Sequence, residues 1–390
     1  MRGLSSTIRQ SARSLRRPIL ALSLLLAVSP AGAEDPTPPP ASGSSPDQAA
    51  SGVSTAEPTP ERSGWLYILP VVAYSPETKF AFGGSAGRFY RFGDDPSVRP
   101  TTTTPLALVT TEGQVILGLF TDAWWDANRW HLVSNLGFSK FPTQFYGVGD
   151  ATPESAEEDF TPSTTTLLLE AKRQLAGGFY LGGILDVRHT SIADVEAGGL
   201  LDTGDFYGAD GGTAVGVGVS AAWDTRDAVF YPTRGWWHRV AATRYLDVLG
   251  GDHVYTWLDA SAARYWSLGG SRVLAARVSG SFISGGRAPF NHLNRLMLRG
   301  YFEERYLENH VVRAQLEYRT GLWKRLGAVV FAGAGELAST MDRLRLDEAL
   351  PVGGFGLRFN VRGDETANLR LDFGFGDGQR GVYVRFGEAF

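Results

Sequence analysis

The chain runs to 390 residues, 43% hydrophobic and 20% charged, with 48 Gly, 10 Trp and no Cys. Without cysteine there is no disulfide framework, no Cys-ligated zinc and no lipoprotein acyl anchor. Acids outnumber Lys and Arg by 41 to 37, a balance that argues against nucleic acid as a partner.

The first 33 residues read as an export signal. Arg2, Arg9, Arg13, Arg16 and Arg17 form a basic n-region without an acid, Pro18–Val28 is the apolar core, and Ala31-Gly32-Ala33 is a small-residue cleavage site. The apolar run is too short to remain in a membrane as a helix. Cleavage removes five of the 37 basic residues, which leaves 32 against 41 acids, near −9. Glu34–Ser63, rich in Pro, Ser, Ala and Thr and poor in large apolar residues, reads as a disordered linker. From Gly64 to Phe390 the texture is uniform and reads as one domain. No later stretch reaches the roughly 18 consecutive apolar residues of a membrane helix, a test that is blind to strands alternating apolar and polar.

About sixteen strand-like runs fill that domain: Trp65–Ser75, Lys79–Phe92, Thr103–Thr111, Gln114–Ala123, Trp130–Lys140, Ser163–Gln174, Gly178–Thr190, Thr213–Asp224, Gly235–Leu246, His253–Leu268, Arg272–Ser284, Val311–Leu322, Leu326–Leu337, Gly353–Val361, Asn368–Phe375 and Gly381–Phe390. Period-two alternation is clearest near the end. Leu369, Leu371, Phe373 and Phe375 oppose Asn368, Arg370, Asp372 and Gly374. Phe355, Leu357, Phe359 and Val361 oppose Gly356, Arg358 and Asn360. Val312, Ala314, Leu316 and Tyr318 oppose Arg313, Gln315, Glu317 and Arg319, and in the last run Val382, Val384, Phe386 and Phe390 share a face.

A soluble sandwich also alternates, but three features favour lipid outside and water inside. The strands are long enough for a tilted bilayer crossing. The polar faces mix both signs of charge. Aromatics crowd the strand ends (Trp65, Trp124, Trp125, Trp130, Trp236, Trp237, Trp266, Trp323, Phe390) as interfacial girdles do. The expected fold is all-β, a transmembrane antiparallel β-barrel of about 16 strands. Pro70 removes a ladder donor from the first strand, and the last carries Gly381 and Gly387, so the seam between them is expected to be weakly paired.

The connection Gly285–Asn309, about 25 residues between strands eleven and twelve, is long enough to suggest function or disorder. In it Leu293, Leu296, Met297 and Leu298 lead into Arg299-Gly300-Tyr301. The residues leave two readings open: an exposed hairpin loop with a chance Arg-Gly turn, or a segment folded into a water-filled interior.

Here the chain resembles a known family. Leu298-Arg299-Gly300-Tyr301 is similar to the (V/I/L)-R-G-(F/Y) motif of the inward-folded loop of the BamA/TamA superfamily, the bacterial surface antigen domain. In order along the chain, Phe145-Tyr146-Gly147-Val148-Gly149 resembles F-Y-G-x-G, and Asp224-Thr225-Arg226-Asp227 with Tyr231-Pro232-Thr233-Arg234-Gly235 resembles D-x-R-D…P-x-x-G. Gln315-Leu316-Glu317-Tyr318 resembles the strand-twelve acid, Phe331 with Gly335 the F-x-D-x-G of strand thirteen, and Phe390 the terminal, barrel-closing aromatic read by the assembly machinery. The resemblance implies an integral barrel of the bacterial outer membrane, whose loop Arg299 reaches acids across the lumen. It departs from the pattern where Gly333 replaces the strand-thirteen acid, which leaves Glu317, with Asp372 a candidate substitute from the same polar face. Glu34–Ser63 is also too short for a POTRA domain. Implied partners are outer-membrane lipid and lipopolysaccharide, the barrel assembly machinery for its own insertion, and a separate periplasmic protein.

Other motifs carry no chemistry. Gly83-Gly84-Ser85-Ala86-Gly87 matches G-x-S-x-G but no helix follows it, and the six His show no metal-binding spacing. No cofactor, no metal and no catalytic residue is expected. Asp186, Asp259 and His253 near the outer rim keep an outer-membrane enzyme open as a minor reading. The principal ones are a barrel accessory to outer-membrane protein or lipid assembly or translocation, and a pore or surface-antigen barrel.

Overall fold

The computed structural model describes residues 65–390 apart from 76–78, 94, 96–97, 100, 150, 204–205, 229–230, 303–304, 361–367 and 387. The export signal and linker expected over 1–63 lie outside the described residues.

Sixteen long strands make the fold: β1 (Trp65–Ser75), β2 (Lys79–Tyr90), β3 (Thr101–Thr110), β4 (Val115–Trp125), β5 (Trp130–Lys140), β6 (Glu158–Ala176), β7 (Phe179–Ala193), β8 (Gly212–Asp224), β9 (Gly235–Tyr245), β10 (Tyr255–Ser267), β11 (Val273–Ser284), β12 (His310–Trp323), β13 (Leu326–Ala338), β14 (Leu350–Asn360), β15 (Asn368–Phe375) and β16 (Arg380–Phe386). Each pairs antiparallel with the next. Gly83–Gly87 lies inside β2, paired with β1 throughout and with β3 as far as Ser85, so it forms no nucleophile elbow. Among the described residues no backbone pairing joins β1 to β16.

Successive side chains on a strand face opposite ways, and here the burial is inverted relative to a soluble protein. Leu117, Leu119, Val219, Leu316, Phe355 and Leu357 are exposed outside, while Glu170, Asp186, Arg239, Glu317, Arg319 and Asp372 are buried inside. Water-soluble folding cannot produce that pattern; an apolar solvent around the barrel does. The pleat also corrects the expected girdle. Neighbouring tryptophans must face opposite sides, so Trp236 is exposed outside while Trp124 and Trp237 are buried in the lumen.

The two rims differ. An even number of strands puts β1's start and β16's end at one rim, where most turns are short, such as Gly177-Gly178 and Lys324-Arg325. The other rim carries the longest connections, and three of them fold together. Phe145, Phe160, Leu201, Phe290, Leu293 and Leu307 pack with Tyr245 and Tyr255 of the wall into one apolar cap. Loops that start six strands apart meet there, which the curl of the sheet into a barrel allows.

Candidate functional site

The loop between β11 and β12 is ordered. It contains a 3-10 turn, Phe290–His292, and a two-residue ladder of Asn294–Arg295 with Leu307–Glu308. Its apolar residues fix it to the inner wall: Leu296 and Leu298 are buried with Val311, Val329, Phe331, Leu337 and Val352. A Cβ on Gly335 would come within 2.7 Å of Leu296 and 2.9 Å of Leu298, so that glycine makes room for the loop. Beyond Arg299 the chain turns through Gly300 at φ +125, a conformation side chains disfavour. The Gly300 N–H donates to the Tyr383 hydroxyl at 2.8 Å. Tyr301 is buried, and its hydroxyl donates to the Pro351 carbonyl at 2.7 Å and accepts from the Asp377 N–H at 3.0 Å.

The Arg299 guanidinium lies between two fully buried carboxylates, Glu317 at 2.5 Å and Asp372 at 3.0 Å, with its central carbon 3.6 Å from the centre of the Phe331 ring. The clasp belongs to a larger network. Arg319 reaches Glu317 at 2.8 Å, and Arg358 bridges Asp372 at 2.5 Å and Glu388 at 2.7 Å. Arg370 lies 3.8 Å from Asp372, and Asn368 donates to Glu388 at 2.8 Å. Four guanidiniums thus share three carboxylates, so each buried charge meets an opposite one, the condition under which such charges persist.

Leu298, Arg299, Gly300, Tyr301, Glu317, Asp372, Phe331 and Gly335 therefore meet in one place. Phe390 does not lie on the last strand, where the alternation placed it. β16 ends at Phe386, and Phe390 is buried in the lumen against Trp237, Ala263, Tyr265 and Ala275. The cause is electrostatic: Glu388 is drawn inward to Arg358 and Asn368, and Arg319 donates to the Phe390 main-chain oxygen at 2.8 Å. Sequence reasoning missed Glu388 because it was read as part of a strand. Arg319 and Arg358 were visible as polar-face residues, and their two-residue spacing from other inward positions was the available signal.

The remaining motifs support the loop from the sides. Phe145 enters the cap, the Gly149 N–H donates to the Leu307 carbonyl at 2.9 Å, and Arg305 binds the Thr152 hydroxyl at 2.5 Å. Asp224 and Arg226 form a two-pronged ion pair at the opposite rim, and Asp227 accepts the Thr233 N–H at 2.9 Å. Asp186 accepts from Arg188 and from the Tyr245 hydroxyl, and Asp259 from Arg239 and Ser281. His253 stands in the β9–β10 loop beside Tyr207. Among the described residues no group of three His, Cys, Asp or Glu could hold a metal ion.

The profile of the Omp85 superfamily domain matches residues 108–390. The fold is similar to BamA from Haemophilus ducreyi lacking POTRA domains 1-3, at 13% identity and a TM-score of 0.55, over 83% of this chain and 70% of that one. It is also similar to CdiB from Acinetobacter baumannii, at 12% identity and a TM-score of 0.52, over 80% of this chain and 56% of that one. Comparison with curated proteins gives no match.

Proposed function

The chain belongs to the Omp85 superfamily and is an outer-membrane β-barrel, and from that premise we propose that it is accessory to outer-membrane protein or lipid assembly or translocation. The observation that carries this reading is Arg299, held between Glu317 and Asp372 with its loop sealed by Leu296 and Leu298. A bare pore needs no such brace, and the loop and the Phe390 segment both occupy lumen that a pore would leave to water. Pro70, which cannot donate to a ladder, stands in β1 opposite Gly84 of β2 and supports the reading of a seam that opens at low cost. A separate periplasmic protein would bring the clients.

The test compares two activities of the purified full chain. Liposomes containing it should speed the folding of an unfolded client barrel relative to empty liposomes, and Arg299→Ala should abolish the gain. Steady ion conductance in a planar bilayer with no acceleration of client folding would instead make it a pore.

A further inference from the structure

Inside the lumen the arginines described above meet carboxylates or backbone carbonyls. Arg264 is different. It lies on β10 in phase with the exposed Leu258 and Trp266, so its side chain faces outward, towards lipid. It stands directly across from Trp236 of β9, with its guanidinium 4.5 Å from that ring and 5.7 Å from Trp266. Among the described residues no carboxylate lies within ion-pair distance of it, and its Nε is shielded from solvent without a hydrogen-bond partner. The aromatic row continues sideways: His238 stacks on Trp236 at 5.3 Å and on Trp223 at 5.5 Å, both rings being outward and partly exposed.

The construction recurs on the same rim. Arg173 of β6 faces outward over Trp130 at 5.5 Å, directly across from it, and Trp130 stacks on Trp125 at 6.1 Å. At the loop-bearing rim the outward Arg244 is satisfied by protein, donating to Thr256 at 3.0 Å and to the Gly285 carbonyl at 2.8 Å. Just above the row comes the apolar band of Val219, Val240, Leu258 and Val278. The row therefore sits where hydrocarbon gives way to headgroups, the depth that indole rings prefer.

A cation at that depth with no protein counter-charge needs an anion supplied by its surroundings. We propose that Trp236, Arg264 and Trp266 form a seat for the phosphate of an anionic phospholipid in the leaflet at the short-turn rim. The guanidinium binds phosphate oxygens with its fork of donors, and the flanking indoles hold it in place while their edges cover the glycerol. The occupant is anionic rather than zwitterionic because, among the described residues, the row offers the Arg264 cation and no carboxylate to receive an ammonium group. β8–β10 lie half-way round the sheet from β1 and β16. The seat thus pins the wall opposite the seam, whatever passes through the seam.

The test folds the full chain into mixed phosphatidylcholine–phosphatidylglycerol vesicles and counts, by native mass spectrometry, the lipids retained after extraction. Wild type should retain phosphatidylglycerol over phosphatidylcholine about fivefold, the ratio that matches the ~1 kcal/mol gained by a basic residue at an anionic surface. Arg264→Gln should lower that ratio towards one, and Trp266→Leu, which keeps the charge, should fall between. An unboiled gel confirms that each variant is folded. An equal ratio in wild type and Arg264→Gln overturns the seat, and so does a wild type with no preference. If Arg264→Gln fails to fold, the wild-type ratio and Trp266→Leu decide the matter.

Discussion

Replacing Arg299 by Ala removes ion pairs to Glu317 at 2.5 Å and Asp372 at 3.0 Å, together with the stacking on Phe331. Deleting one partner of a buried pair costs about 3–5 kcal/mol, because a bare charge stays behind. Neither acid is left bare here: Glu317 keeps Arg319 at 2.8 Å and Asp372 keeps Arg358 at 2.5 Å. The cost should therefore lie at the low end, ~3 kcal/mol. At roughly 2 °C per kcal/mol for a chain of this length, unfolding should move down by about 6 °C. The assay is the temperature at which the folded band converts to the unfolded one in an unboiled gel, read beside planar-bilayer conductance, which should change as the brace is lost. Arg299→Lys keeps the charge but cannot fork across both acids, so it should fall between. The combination Arg299→Ala with Glu317→Gln should cost less than the sum of the two single changes, as expected of contacting groups. If the conversion temperature and the conductance of Arg299→Ala both match wild type, the loop is not held in the lumen by this residue.

Glu388→Gln weakens the hold of Arg358, which reaches the carboxylate at 2.7 Å, at a cost of ~2 kcal/mol for a charge-assisted bond. Hydrogen exchange of the peptide spanning 380–390 should quicken, and unchanged exchange would show that Phe390, through its apolar contacts and the Arg319 bond, seats the segment without Glu388. In the loop cap, burial holds the His292 imidazole well below its ordinary value, with Arg188, His253 and Arg295 adding to the effect. A depressed imidazole is neutral when folded, so an unfolded cap takes up the proton first. This contribution is complete above about pH 6.5 and declines as pH falls from there towards the folded value. Proteolysis within residues 285–309 should therefore speed up between about pH 7 and about pH 5, and His292→Gln should flatten that dependence.

Strand content was legible because a two-residue period survives any tertiary context: β1, β5 and β15 run over the residues the alternation predicts. Which face meets lipid was also legible, since on the strands near the C-terminus, such as β12 and β15, charges of both signs share one side. Connections were harder. β6 starts at Glu158 rather than Ser163, because its first residues pair with the short strand Thr143–Phe145, a partner that no local pattern announces. The inward turn at Glu388 was hidden for the same reason: it depends on Arg358 and Asn368, some 20 to 30 residues earlier in the chain. Paired tryptophans were misread because composition places aromatics at rims without saying which side of the pleat each occupies.

Gly333 leaves its position on β13 without an acid, and Arg299 takes its second carboxylate from Asp372 on β15. Gly333, Gly335, Gly354, Gly356 and Gly374 line the inner wall from β13 to β15. A Cβ on Gly354 would lie 2.3 Å from Phe331, so the ring rests flat on the wall and offers its face to the guanidinium. A Cβ on Gly374 would meet the Arg299 carbonyl oxygen at 2.5 Å, so the loop backbone runs directly over β15, one inward position from Asp372. Arg299 thus starts beside Asp372 and reaches back to Glu317 across the glycines, and an acid on β13 is not required. Its space is taken as well: a Cβ at 333 would lie 2.6 Å from the Ala314 carbonyl oxygen and 3.1 Å from the Gln315 side chain, whose amide oxygen accepts from Arg299 at 3.4 Å. Gly333→Asp should accordingly lower the gel conversion temperature, because the new carboxylate displaces Gln315 and presses on backbone without gaining a better-placed cation. A rise in that temperature would mean that an acid at this β13 position lies within reach of Arg299 after all.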